Sequence, residues 1–323
     1  VANFTWFTGV VEDINDPKFM NRVRVRCFDY HTHDKSIVKT EDLPWATVMM
    51  PTSSASTSGL GVTPHGLVQG SWVVGFFRDG SAAQDAIVMG SIASMSTAGP
   101  DGAVGFNDPD EVYPTEQYID NPDVNEHARL ETTELVDQKK QSIDTDVPTA
   151  TGGSWSEPET PFAPIYPNNK VHQTTSGHVF EVDDTPEAER IHEYHRTGTF
   201  REVHPDGTIV TRIVGDDYTI VQQDNNVHVL GNVNLTIDSN CTTYVKGDWD
   251  IKVDGDLDID VKGNITQDAA LIYLNRDNGD AWAAARLGDT ADTGDAGTGS
   301  HFDTNSAGTD KIETGSGTVF IGK

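Results

Sequence analysis

The sequence predicts an all-β chain: a small closed barrel, an irregular linker, an intertwined trimeric β-helix and a short pointed tip. Three observations predict this. Strict period-two alternation marks strands near the start, a β-branched residue recurs every eight positions later on, and apolar content is low throughout. Only 36% of the 323 residues are hydrophobic while 30 are glycine. A compact globule of this length needs more apolar material. An elongated oligomer sharing one core between chains does not.

The barrel is expected over residues 1–95. Val23, Val25 and Cys27 alternate with Arg22, Arg24 and Arg26, which places the first three on one face. Further strands are expected at residues 6–13, 45–50, 71–77 and 86–92, with a polar Ser/Thr/Gly loop over 52–63. Five short strands in so few residues fit a closed barrel of the OB type. That fold often binds oligonucleotides. Here the formal charge is -29, from 51 acidic against 22 basic residues, which excludes phosphate backbones as partners. The three arginines are therefore read as a solvated, salt-bridged face.

Residues 96–165 lose all periodicity and are rich in Gly, Pro, Asp, Glu, Ser and Thr. A helix of more than two turns fits only around residues 125–136. This segment reads as an extended linker draped over partner surfaces. Its carboxylates, among them Glu126, Glu131 and Glu134, follow no recognisable catalytic frame and read as solvated.

The needle is expected over residues 166–268, opening with β signals at 178–182 and 208–210. Ile213, Val221, Val229, Ile237, Val245, Val253 and Val261 stand eight apart. Two positions after five of them lies a glycine: Gly215, Gly231, Gly247, Gly255 and Gly263, with Gln223 and Ser239 in the other two places. From Val227 the odd positions are mainly apolar and the even ones mainly polar, so alternation is superimposed on the octad. An unbroken strand of this length lies far outside the usual 3–10 residues. A chain that alternates yet turns at each glycine meets both constraints, with glycine supplying the dihedral and the room at the corner. One chain on so short a repeat encloses little volume. Three chains around a common axis each supply one wall of a prism, and their backbones pair without a free edge. The expected core of that prism is the octad series together with Trp249, Ile251, Leu257 and Ile259. The aspartates at 248, 250, 254, 256, 258 and 260 read as its outer face, balanced in part by Lys252 and Lys262, rather than as a calcium site. An ordinary β-sandwich accounts for the turns but not for phase-locked octads.

Cys27 and Cys241 fall in apolar alternating runs and read as small buried hydrophobes. The opening residues 1–9 lack a basic segment followed by an apolar stretch, so no signal peptide is expected. No window reaches the roughly 18 apolar residues of a membrane helix.

Residues 6–13, the pair Asp16-Pro17 and residues 21–26 resemble the OB domain of T-even phage baseplate spike proteins. Leu43-Pro44-Trp45, Gly105-Phe106-Asn107-Asp108-Pro109 and Tyr113-Pro114 extend the match. Tyr166-Pro167-Asn168-Asn169, Gly177-His178-Val179, Asp183-Asp184-Thr185-Pro186, Arg190-Ile191-His192 and Gly198-Thr199-Phe200 are similar to the start of the needle in those spikes and in VgrG spikes of type VI secretion. The resemblance implies a non-enzymatic homotrimer at the centre of a contractile tail baseplate that pierces a cell envelope mechanically. It also implies a trimeric hub protein and a separate tip cap as partners, transient contact with the host outer envelope, assembly in the host cytoplasm and residence in the virion. A phage-like injection or type VI system uses a nearly identical spike, and an envelope-degrading enzyme and a host-binding adhesin are the rival functions. The best-known phage spike inserts a lysozyme domain between barrel and needle, whereas residues 96–165 are too short and polar to bury one. VgrG proteins begin with a hub module and this chain begins at the barrel, which favours the phage arrangement.

Residues 269–323 are expected to form the tip. Residues 283–289 and 313–322 resemble PAAR proteins, the metal-bearing cones that cap such spikes. His301 is the histidine of this region, and three copies on a trimer axis would hold one iron or zinc ion; an exposed loop histidine is the other reading. His31 with His33 and His192 with His195 lack a third ligand and read as structural.

Overall fold

The computed structural model describes residues 5–107, 113, 118–130, 139 and 144–270, and the backbone of 273–274, 282–283, 290–291 and 310–311. It divides into two units, Val1–Cys241 and Thr242–Lys323. The regular elements among the described residues are nearly all β, as the alternation predicts.

The first unit opens with β1 (Thr5–Asp13), β2 (Arg22–Cys27), β3 (Trp45–Val48), β4 (Trp72–Phe77) and β5 (Ala86–Ser91). They close into a barrel of order β1-β2-β3-β5-β4, with β3 and β5 parallel. Each strand matches its expected position to within two residues at either end. Phe7, Val11, Val23, Val25, Cys27, Val73, Phe77 and Val88 fill the barrel. Burial pushes the Cys27 thiol up to about 12. The ladder shifts register between Val74 and Gly75. A Cβ on Gly75 would lie 2.0 Å from the Ile87 carbonyl oxygen and 2.6 Å from the Phe7 ring, so only glycine fits.

The arginine face is salt-bridged but not solvated. Arg26 is fully buried, donating through Nε to Glu12 Oε1 at 2.7 Å and through Nη2 to Glu12 Oε2 at 3.1 Å. It also donates to the carbonyls of Thr32 (2.6 Å) and Val38 (2.8 Å). Arg22 pairs with Asp16 at 2.6 Å, and Arg24 stacks 4.5 Å from the Trp45 ring. The reason is that later segments cover this face. Phe106 stacks on Phe28 at 4.2 Å, and its backbone N–H donates to Glu12 Oε1 at 2.8 Å.

Residues of the expected linker thus drape over their own chain. Isolated bridges join Ser96 to Ile119 and Met95 to Pro122. Of the helix expected around 125–136, the described part is one turn, α1 (Glu126–Arg129). Asn125 caps it by accepting from the His127 N–H, and Leu130 ends it at φ 52°. Residues 131–136, and with them Glu131 and Glu134, lie outside the described residues. The short strands β6 (Val147–Pro148) and β7 (Ser154–Trp155) form a hairpin.

A second sheet follows from β8 (Asn169–Gln173), β9 (Val179–Asp183), β10 (Arg190–Tyr194), β11 (Phe200–Val203) and β12 (Ile209–Arg212). It is an antiparallel meander of order β12-β11-β10-β9-β8. Three of its turns carry glycine at positive φ: Gly177 (90°), Gly198 (99°) and Gly207 (85°).

From 213 to 270 the chain forms no ladder among the described residues. It bends at 214–215, 222–223, 230–231 and 238–239, and in the second unit at 246–247, 254–255 and 262–263. The period is eight residues throughout. Gly215, Gly231, Gly247, Gly255 and Gly263 are absent from the positive-φ glycines, so the corner does not require the unusual dihedral expected of it. Gln223 and Ser239 make the same bend for that reason. Cys241 is exposed in the single chain, where the sequence pattern predicts burial. In the second unit the backbones of β13 (Tyr273–Leu274) and β14 (Trp282–Ala283) pair, as do β15 (Thr290–Ala291) and β16 (Asp310–Lys311).

Candidate interchain surface and buried ion cluster

Residues 213–268 combine apolar side chains with unused backbone. Among the described residues, no backbone–backbone hydrogen bond involves 215–269. Of the expected core positions, Ile213, Val221, Val229, Ile237, Val245, Val253 and Val261 are 43–50% exposed in the single chain. Trp249, Ile251, Leu257 and Ile259 are 62–66% exposed. The octad residues are the better shielded because they sit beside the bends. A Cβ on any of the five corner glycines would meet nothing within 4 Å. Extended chain without backbone–backbone pairing of its own and with a periodic apolar seam marks a candidate interface.

The second sheet carries a cluster that the alternation did not reveal. Glu181, His192 and Glu202 are cross-strand neighbours on β9, β10 and β11. Arg190 bridges the two carboxylates, donating to Glu181 and, at 2.8 Å, to Glu202 Oε1. His192 Nδ1 lies 3.1 Å from Glu181 Oε2, and His127 Nδ1 lies 3.1 Å from Glu181 Oε1. Lys139 Nζ approaches His192 Nδ1 at 3.2 Å and Glu181 Oε2 at 3.8 Å. Thr160 Oγ1 donates to Glu202 Oε1 at 2.9 Å, and the buried Phe162 ring lies 4.8 Å from the guanidinium. The cluster therefore pins residues 127, 139, 160 and 162 to the sheet.

Burial alone would raise the Glu181 carboxyl. Hydrogen bonding with His127 and His192 and the charges of Arg190 and Lys139 instead hold it well below the usual carboxylate range. Burial likewise opposes ionisation of Glu202, and Arg190 outweighs it. Burial takes Lys139 down to about 8 and keeps His192 below its ordinary value. Both carboxyls are thus ionised at neutral pH. A glycosidase pair needs one of them held protonated, whereas here both are ion-paired with Arg190.

The remaining described histidines form no centre. His31 Nδ1 accepts from the Cys27 N–H at 2.9 Å, the His178 and His195 rings pack at 4.4 Å, and no group of three metal-ligating residues occurs among the described residues. His301 lies outside the described residues, as do the side chains of the tip. Among the described residues no helix is long and apolar enough to cross a membrane.

Comparison with known proteins places this geometry. Residues 29–189 match the family described as the Gp5 N-terminal OB domain. Over 274 residues the chain is 39% identical to "Protein Gp5" of Vibrio phage KVP40, which covers 75% of this chain and 65% of that protein. It is 38% identical over 117 residues to the "Pre-baseplate central spike protein Gp5" of Enterobacteria phage T4, covering 35% of this chain and 20% of that protein. The chain thus spans less than two thirds of the length of either relative. With a barrel of OB topology, a matching Gp5 N-terminal OB domain model and identity that extends well beyond the barrel, the chain is similar to the Gp5 proteins of these phages, one of them named as a pre-baseplate central spike protein.

Proposed function

We propose that three copies of this chain form the central spike of a contractile phage tail baseplate and act mechanically, without catalysis, to pierce a host envelope. One observation carries the reading: residues 213–268 bend every eighth residue, expose an apolar seam and leave their backbone unpaired. Three such chains satisfy one another in a closed prism, with the octad residues and the intervening Trp249, Ile251, Leu257 and Ile259 at the centre and the corner glycines giving room near the axis. Registered bonds shared by three chains make a stiff shaft, since local opening must break all three together. In this reading residues 1–95 dock on a trimeric hub, 96–165 strap barrel to shaft, 166–268 form the needle and 269–323 the tip. The particle resides in the virion.

Sedimentation equilibrium of the purified chain tests the assembly: three times the chain mass is expected, and a monomer overturns the proposal. A peptidoglycan turnover assay tests the absence of catalysis. No turnover is expected, and turnover abolished by Glu126→Gln would replace the mechanical reading with an enzymatic one.

A further inference from the structure

Asn169, Asp183 and Arg190 stand in one row across three strands. Asn169 of β8 opposes Asp183 of β9, which in turn opposes Arg190 of β10. All three are buried, at 3%, 2% and 2% exposure. The row lies next to that of Glu181, His192 and Glu202, which carries the ion cluster.

Each of the three residues has its other polar atoms committed. The Asn169 amide donates through Nδ2 to the His127 carbonyl at 3.0 Å, which fixes its orientation and leaves Oδ1 over. Asp183 Oδ1 accepts from the Thr185 N–H at 2.9 Å. Arg190 has Asp183 as its cross-strand neighbour, yet its Nη1 and Nη2 run to Glu202 and Glu181 in the next row. Three buried atoms are left: Asn169 Oδ1, Asp183 Oδ2 and Arg190 Nε have no hydrogen-bond partner among the described residues. Buried polar atoms are almost always satisfied, and a charged one most of all.

Their chemistry selects the missing partner. Two of the atoms only accept and one only donates, so whatever joins them must donate twice and accept once. A metal cation takes nothing from the Nε–H and is repelled by the guanidinium. An anion offers nothing to Asp183, and a protein hydroxyl has one proton to give. A water molecule meets all three demands, and about three hydrogen bonds is the usual number for a buried one.

We propose that Asn169, Asp183 and Arg190 form the binding site of one internal water, which donates to Asn169 Oδ1 and Asp183 Oδ2 and accepts from Arg190 Nε. The site lies within a single chain and is independent of the trimer. It gives the row a task. Asn169 holds the α1 turn by the His127 carbonyl, and the His127 ring reaches Glu181. The water closes this loop by joining Asn169 to Arg190, so that the α1 turn is fastened to the sheet at two linked points.

The test combines a crystal structure of the full chain, at about 1.5 Å or better, with urea midpoints of Asn169→Ala, Asp183→Ala and the double variant. One density peak is expected, about 2.7–3.2 Å from each of the three atoms. The double variant should lose clearly less than the sum of the single losses, since the first substitution already frees the water. Direct contact between Asp183 and Arg190, or a protein group in place of the peak, overturns the proposal. So does a peak with several oxygens at about 2.3–2.6 Å, which is a cation. Additive losses overturn it as well, because the two residues then share no ligand. Should a variant fail to fold, the crystal structure of the parent decides alone.

Discussion

Arg26 and Glu12 set the energetics of the barrel at the level of single side chains. Both are fully buried, and Glu12 also accepts from Thr40 Oγ1 at 2.9 Å and from the Phe106 N–H at 2.8 Å. Arg26→Met therefore leaves a solvent-free carboxylate without its counter-charge, at a cost of about 3–5 kcal/mol. The expected result is a marked fall in the urea midpoint followed by tryptophan fluorescence. Arg26→Met with Glu12→Leu should recover part of the loss, because the pair is then removed together. Gly75→Ala acts by sterics instead. With the Ile87 carbonyl 2.0 Å from the new Cβ, β4 and β5 cannot keep their register, and the barrel should fail to close, read as loss of near-ultraviolet circular dichroism. Period-two alternation in residues 22–27 correctly places Val23, Val25 and Cys27 inside. It could not show Arg26 as buried, because the groups that cover it come from residues 32, 38 and 106, and long-range cover leaves no mark on a local pattern.

At the scale of the element, the second sheet has a pH dependence that follows from its cluster. Glu181 and Glu202 have depressed values in the folded state, so their contribution is fully present above the unfolded carboxylate range, near pH 4.3. It is lost as pH falls through the folded values. His192, kept neutral by burial, adds an earlier loss that begins below the ordinary imidazole value of about 6.5, where the unfolded chain binds the proton more readily. Lys139, at about 8, has the same sign and makes the sheet more stable as pH rises from about 8 towards 10.5. Urea midpoints measured from pH 8 to pH 3 should fall in two stages, and Glu181→Gln should flatten the acidic stage. A midpoint independent of pH would show that the cluster contributes nothing to folding. The sequence made the strands of this sheet legible but not its polarity. The β signal over 178–182 marks a strand but not its buried side, and it is Glu181, between the exposed Phe180 and Val182, that is buried. One chain's alternation does not say which face of a sheet is covered.

At the scale of the whole molecule, the octad is the feature that the sequence displays most openly, and the bends follow it in every repeat. Its regularity needs no long-range information, which is why it could be read directly, whereas the tip, with few repeats and one histidine, could not be tied to a geometry. If three seams meet at a common axis, the consequence of a charge depends on parity alone. Val253 lies on the odd, apolar side and is 47% exposed in the single chain, while Lys252 lies on the even, polar side and pairs loosely with Asp254 at 3.6 Å. Val253→Asp would bring three carboxylates together in a dry centre, costing several kcal/mol for each before relaxation. The trimer should then be lost, or melt in SDS at a much lower temperature than the parent. Lys252→Asp, one residue away and on the solvent side, adds more negative charge to an already acidic surface and should leave the SDS-resistant band nearly unchanged at moderate salt. Equal sensitivity of the two variants would mean that parity does not decide which side chains are buried, and the prism would lose its basis.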